Sequence, residues 1–150
     1  MRVLVQRSGE ASVTISGSVS GEIKKGMVVL LGIAKDDTET DADWLIQKIT
    51  GLRIFNDEDG KMNLAISEID GEFLVISQFT LHASTKKGNR PSFINAARPE
   101  KAIPLYEYFV NQLQEVSKAQ VATGEFGADM KVSILNDGPV TIWIDSNSKE

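Results

Sequence analysis

The run Met27-Val28-Val29-Leu30-Leu31-Gly32-Ile33 constrains the fold more than any other segment. It is apolar throughout and bounded by Gly26 and Lys35, which suits a strand buried on both faces. The rest of the first third also reads as strands. Val3 to Gln6, Ala11 to Ile15 and Val19 to Ile23 are short β-prone runs separated by Ser and Gly. Ile15-Ser16-Gly17-Ser18-Val19 predicts a hairpin turn.

Two helices are expected. Thr38 offers an N-cap with Asp41 in the first turn. Ala42, Leu45, Ile46, Ile49 and Leu52 then follow at helical spacing. Pro99 stands near the start of the second helix, where its missing N–H costs little. Pro104 predicts a late start or a kink. Leu105, Tyr106, Phe109, Leu113 and Val116 supply that helix's apolar face. Further strands are predicted at Arg53 to Phe55, Phe73 to Thr80, Gln120 to Thr123, Met130 to Asn136 and Val140 to Asp145. In the last of these, Val140, Ile142 and Ile144 alternate with Thr141, Trp143 and Asp145. The expected architecture is α+β, a mostly antiparallel, barrel-like sheet with two helices.

A chain of 150 residues fits one domain spanning 1–150, and a chain this long buries roughly 68–70% of its unfolded surface. It contains no cysteine, which excludes disulfides, zinc-thiolate sites and a cysteine nucleophile. Its one histidine, His82, excludes a histidine metal cluster, and no metal or cofactor is expected. His82 is either a general base or an ordinary loop residue, and the loop residue is the preferred reading. Asp57-Glu58-Asp59 reads as a solvated turn rather than a calcium loop. Met1 to Arg7 lacks a signal-peptide core, and no apolar run approaches the ~20 residues of a membrane span. A soluble cytoplasmic protein without a membrane partner is expected.

The formal net charge of −5 counts against a protein that simply coats nucleic acid. The segment Lys86 to Lys101 is locally basic, with Lys86, Lys87, Arg90, Arg98 and Lys101 set against Glu100. It is either a solvated loop or a surface that neutralises a few phosphates.

Two segments carry the candidate chemistry. Ser77-Gln78-Phe79-Thr80-Leu81 ends a buried strand where a long polar loop begins. Backbone N–H groups there could cradle an oxyanion, and Thr80 could attack or position water. The plain alternative is a strand finishing in polar residues. In Asn136-Asp137-Gly138-Pro139-Val140-Thr141, Asp-Gly between apolar strands is a hairpin signal. Pro139 directly after it removes a ladder donor. The plain alternative is an ordinary trans turn.

Together these segments resemble the D-aminoacyl-tRNA deacylases of the bacterial and general eukaryotic type. The resemblance covers the whole chain. Met1-Arg2-Val3-Leu4-Val5-Gln6-Arg7 with Ala11-Ser12-Val13 is similar to the family's opening strands. Leu52-Arg53-Ile54-Phe55 with Gly60-Lys61-Met62-Asn63 is similar to its middle. Ser77 to Leu81 and Asn136 to Thr141 match its two signatures. Lys87-Gly88-Asn89-Arg90-Pro91-Ser92-Phe93 and Phe126-Gly127-Ala128-Asp129-Met130 are also similar to family segments.

The resemblance implies the family's β-barrel-like fold, a homodimer and a carboxylic ester hydrolase that needs no metal. The implied substrate is the ester of a D-amino acid, or of glycine, with the terminal adenosine of tRNA. Gly138-Pro139 would be a cis pair that reaches into the partner subunit's site and leaves no room for an L side chain. Glycine, having no Cβ, would pass such a filter. Arg7 would brace that motif. The backbone N–H groups of Gln78 and Phe79 would receive the ester carbonyl, with Ser77 and Thr80 shaping the site. Water assisted by the RNA's 2′-hydroxyl is preferred to Thr80 as the attacking group. Phe126 and Met130 would pack the adenine ring or serve as plain core, and Lys86 and Arg90 would meet acceptor-stem phosphates. The alternatives are a threonine-nucleophile esterase and a non-catalytic tRNA-binding module.

Overall fold

The computed structural model describes residues 1–149. The element order is β1 (Arg2–Ile15), β2 (Ser18–Ile23), β3 (Gly26–Gly32), α1 (Glu39–Gly51), β4 (Phe55–Asn56), β5 (Met62–Leu64), β6 (Glu72–Ser77), α2 (Pro99–Ser117), β7 (Val121–Thr123) and β8 (Met130–Asp145). Short 3-10 turns cover Ile66–Ile69 and Phe79–His82. The main sheet has the order β2-β1-β3-β6-β7, with β8 added along β1. Among the described residues no helix is long and apolar enough to cross a membrane.

β3 is covered on both faces, as its unbroken apolar run predicts. It lies antiparallel to β1 on one edge and parallel to β6 on the other. Met27, Val29 and Leu31 enter the cluster beneath the helices, together with Phe73 and Val75 of β6. Val28 faces the opposite cluster, with Leu74 and Ile76. Each such side chain contributes about 1.5–3 kcal/mol relative to exposure.

α1 supplies Ala42, Leu45, Ile46 and Ile49 to the first cluster, and α2 supplies Ala102, Leu105, Tyr106, Phe109 and Leu113. The Tyr106 hydroxyl donates to the Val75 carbonyl at 2.9 Å. Burial pushes its pKa up to about 12. The second cluster lies inside the curl of the sheet, between Ala11 and Val13 of β1, Ile23 of β2, and the partly buried Met130, Val132 and Ile134 of β8.

Several sequence expectations change here. The sheet is mostly antiparallel, as expected, but not wholly so, because β3–β6 and β6–β7 are parallel; parallel neighbours need crossovers, and the segments carrying α1 and α2 supply them. Val3 to Gln6 and Ala11 to Ile15 are one strand. The polar stretch between them reads locally as a break, yet β1 crosses there from the first cluster (Val3, Val5) to the second (Ala11, Val13). β6 ends at Ser77, so Thr80 lies in a 3-10 turn rather than in the strand. α2 starts at Pro99 itself and runs on through Pro104 on an exposed face. Val116 points away from the core, at 55% exposure.

The Asp137-Gly138 hairpin does not form. Both halves of β8 pair with β1, Ile134 with Ala11 on one side and Thr141 with Gln6 on the other. Between Asn136, which faces Ser8, and Thr141, which faces Gln6, the chain bulges out opposite the single residue Arg7. Long-range pairing with β1 overrides the local turn signal. The Ser16-Gly17 turn does form, with both residues at positive φ (49° and 82°).

Candidate active site

The first signature is built by a strand that runs out of partner. Ser77 pairs with Leu31, and the Gln78 N–H extends the ladder to the Leu31 carbonyl at 2.7 Å. β3 then ends, and the chain folds into the 3-10 turn. The Gln78 carbonyl accepts from the Leu81 N–H at 3.2 Å and the Thr80 carbonyl from the Ala83 N–H at 3.0 Å. Gly32 makes room for this fold-back. A Cβ there would lie 2.9 Å from Leu81 Cβ and 3.0 Å from the Gln78 carbonyl oxygen.

The expectation for Gln78 is therefore corrected: its N–H is engaged by the sheet and is not open to a ligand. The N–H groups of Phe79 and Thr80 open the turn and have no partner among the described residues. The Thr80 hydroxyl accepts a hydrogen bond from the Gln78 side-chain amide. Among the described residues no carboxylate or imidazole is hydrogen-bonded to Thr80. Phe79 is 54% exposed and meets Phe93 edge-on at 5.0 Å. With Ile94, 78% exposed, these rings leave an apolar surface beside the turn.

His82 is not an ordinary loop residue. It closes the 3-10 turn at 6% exposure, and its Nε2 has no hydrogen-bond partner among the described residues. Burial lowers its pKa below the usual histidine value, aided by the Arg2 and N-terminal cations and opposed by a hydrogen bond to Gly32 and by Asp37.

The second signature is held by Arg7, itself only 7% exposed. Its Nε donates to the Asp137 carbonyl at 3.0 Å and lies 3.3 Å from the Asp137 carboxylate. Its Nη1 donates to the Ile54 carbonyl at 2.7 Å and to Asn56 Oδ1 at 3.2 Å. The Asn136 side chain ties the base of the bulge, accepting from the Val140 N–H at 3.3 Å and donating to Thr141 Oγ1 at 3.0 Å. Gly138 and Pro139 are exposed at its tip, and the peptide bond between them is cis.

Gln78 thus meets Thr80, and Arg7 meets Asp137, but no hydrogen bond or ring contact joins the two groups within one chain. Phe126 stands edge-on to Tyr106 at 5.9 Å, against the helical cluster. Met130 packs in the other cluster. Lys86 and Arg90 are exposed on the loop after the turn and enter no salt bridge among the described residues. Sequence reasoning missed Gly32, Ile54, Asn56 and Asn136. Only Gly32, a glycine inside an apolar run, carried a local signal of close backbone approach.

An α+β sheet that ends in an exposed turn of hydroxyl, amide and unpaired N–H groups defines a class suited to acyl-group hydrolysis. The model of the D-Tyr-tRNA(Tyr) deacylase family matches residues 4–145. The chain is 61% identical over its full length, and that of the relative, to a D-aminoacyl-tRNA deacylase of Bacteroides fragilis. It is 56% identical over the same extent to one of Akkermansia muciniphila. A solved structure described as a c-Myc DNA unwinding element binding protein superposes with a TM-score of 0.91 at 40% identity, covering 97% of this chain and 98% of that one. A second, of a probable eukaryotic D-amino acid tRNA deacylase, shares the fold with a TM-score of 0.83 at 15% identity, covering 95% and 97%. The chain belongs to the D-Tyr-tRNA(Tyr) deacylase family and is an enzyme of the hydrolase class.

Proposed function

We propose that the chain hydrolyses the ester between a D-amino acid, or glycine, and the terminal adenosine of tRNA, and that it rejects the L-aminoacyl ester. The observation that carries this reading is the pair of unpaired N–H groups at Phe79 and Thr80, which suit an ester oxyanion. Losing one such donor costs on the order of 10²–10³ in rate. Gln78 acts through its side-chain amide, and Ser77 anchors the strand end.

Selection for handedness across many side chains calls for fixed backbone around the α-carbon. Gly138 and Pro139 have that character, because Arg7 and Asn136 tie down the bulge that presents them. Among the described residues no hydrogen bond or ring contact joins their exposed tip to the Phe79–Thr80 turn of the same chain. The site is therefore completed in a homodimer, where Gly138-Pro139 of one copy faces the turn of the other. The exposed Phe79, Phe93, Ile94 and Leu135 are apolar surface that such a dimer would cover. Water attacks with help from the RNA's 2′-hydroxyl, since among the described residues no carboxylate or imidazole is hydrogen-bonded to Thr80 and its oxygen already accepts a hydrogen bond. Phe126 and Met130 pack against different clusters, which favours plain core packing for the pair over a shared adenine pocket, and Lys86 and Arg90 meet tRNA phosphates.

The test mixes the protein with D-Tyr-tRNA and L-Tyr-tRNA. Cleavage of the D ester alone is expected; equal cleavage of both, or of neither, refutes the proposal.

A further inference from the structure

An ester held beside Phe79 and Thr80 has a phosphate close by, because one ribose bears both the aminoacyl group and the 5′-phosphate of the terminal nucleotide. A cavity of about 600 Å³ opens at the other end of the same 3-10 turn, lined by Arg2, His82, Ser84, Thr85, Lys86 and Asn95. Its wall holds two cations, two hydroxyls, an amide and an imidazole and, among the described residues, no carboxylate. That lining suits an anion with several acceptor oxygens.

The wall is held in place. Arg2 is fixed by Nε to Asp145 at 2.8 Å and by Nη1 to the Leu81 carbonyl at 2.9 Å. Its Nη2 has no partner among the described residues. Ser84 is clamped by a two-way backbone bridge to Ser92, at 2.8 and 2.9 Å. Lys86 follows this clamp and is in no ion pair among the described residues. His82 backs the cavity with a buried Nε2, a polar atom that has no hydrogen-bond partner among the described residues.

We propose that this cavity is a phosphate subsite for the phosphodiester that joins the terminal adenosine of the substrate to the preceding nucleotide. Arg2 and Lys86 supply the charge, and Ser84, Thr85 and Asn95 supply neutral hydrogen bonds. The identity of the ligand rests on the deacylase reading above; the anion-binding character of the cavity does not.

The test reads binding without turnover. Two non-hydrolysable analogues are compared, 3′-(D-tyrosylamino)-3′-deoxyadenosine with and without a 5′-phosphate, beside inorganic phosphate alone. The intact protein binds the phosphorylated analogue about tenfold more tightly. That ratio falls to about twofold or less in Lys86→Ala and in Arg2→Met, since each removes a charge-assisted contact. Inorganic phosphate alone binds far more weakly than the phosphorylated analogue. Equal affinity for the two analogues, a ratio unchanged in both variants, or free phosphate binding as tightly as the analogue overturns the subsite. Because Arg2 is ion-paired with Asp145, Lys86→Ala on its exposed loop decides the result if Arg2→Met melts early. Cleavage of D-Tyr-tRNA without the phosphate advantage refutes the subsite alone. The advantage without cleavage refutes the deacylase reading and leaves an anion subsite.

Discussion

The Arg7 guanidinium reaches across the sheet to the Asp137 carbonyl at 3.0 Å, joining residues 130 positions apart. Arg7 is also the one residue of β1 that faces the bulge in β8. A single buried side chain therefore sets where the Gly138-Pro139 tip stands, and ties that tip to Ile54 and Asn56 at the entrance to β4.

Arg7→Lys should lower both stability and selectivity. An ammonium on a flexible stem cannot span Asp137, Ile54 and Asn56 at once as a planar guanidinium does. Losing buried, charge-assisted hydrogen bonds costs about 3 kcal/mol, which for a chain of this size lowers Tm by about 6–12 °C. Calorimetry measures the first effect. Parallel assays on D- and L-Tyr-tRNA measure the second, expected as a fall of about 10²-fold in the ratio of D-ester to L-ester turnover from a misplaced tip. A variant with unchanged Tm and unchanged turnover would show that Arg7 does not brace the bulge.

Gly138→Ala should be costly and Gly51→Ala beneficial. At Gly138, φ is +126°, and a Cβ would lie 2.9 Å from Arg7 Nη2 and 2.9 Å from Val140 Cγ2. A strained backbone position of this kind costs about 1–3 kcal/mol. Gly51 ends α1 with nothing within 4 Å of its added Cβ and no positive φ. Alanine there should stabilise by about 0.5–1 kcal/mol. Urea midpoints of the two variants should move in opposite directions.

Local spacing carried much of the fold. α1 was legible because Ala42, Leu45, Ile46 and Ile49 repeat at the helical period behind a capping Thr38, whose N–H donates to the Asp41 carboxylate at 2.9 Å. β3 was legible because strands covered on both faces lose alternation. The polar stretch Arg7 to Glu10 was misread as a gap, since burial of Arg7 and Ser8 depends on β8, far along the chain. The same long-range pairing hid the continuity of β8 behind an Asp-Gly turn signal. Motif resemblance singled out Ser77 to Leu81, but no spacing revealed that the strand stops at Ser77, or that β3 engages the Gln78 N–H and leaves those of Phe79 and Thr80 open.

His82 should give the protein an acid-sensitive stability. Burial holds its folded-state pKa below the usual 6.5. The unfolded chain therefore binds the proton more readily, and the stability from neutral, buried His82 is fully present above about pH 6.5. It is lost progressively as pH falls through the depressed folded-state value. Asp41 and Asp145 also have lowered pKa values: burial works against ionisation in both, but it is outweighed by hydrogen bonds from Ser146 and Thr38 to Asp41, and from Asn147 and Arg2 to Asp145. Their contribution is lost only below about 3.8, so the two windows separate. Urea melts between pH 7.5 and pH 5 should show a declining midpoint in the intact protein and a flatter one in His82→Gln. Equal slopes would assign the loss to other groups.

Thr80→Ala should leave turnover within about tenfold of the intact protein, whereas removing the terminal 2′-hydroxyl from the substrate should cost about 10²-fold or more, the usual worth of positioned proton transfer. The Thr80 oxygen accepts from the Gln78 amide, which draws electron density away from it, and among the described residues no carboxylate or imidazole is hydrogen-bonded to it. Its exposed methyl and hydroxyl instead shape the mouth of the site, on the same turn as the exposed Phe79 ring. Single-turnover assays on D-aminoacyl-tRNA ending in adenosine or 2′-deoxyadenosine separate the two contributions. A covalent aminoacyl-threonine trapped by acid quench, together with an inactive Thr80→Ala, would establish direct attack by the side chain. Water attack assisted by the RNA predicts that no adduct accumulates and that the two losses fall on different components, a small one on the protein variant and a large one on the deoxy substrate.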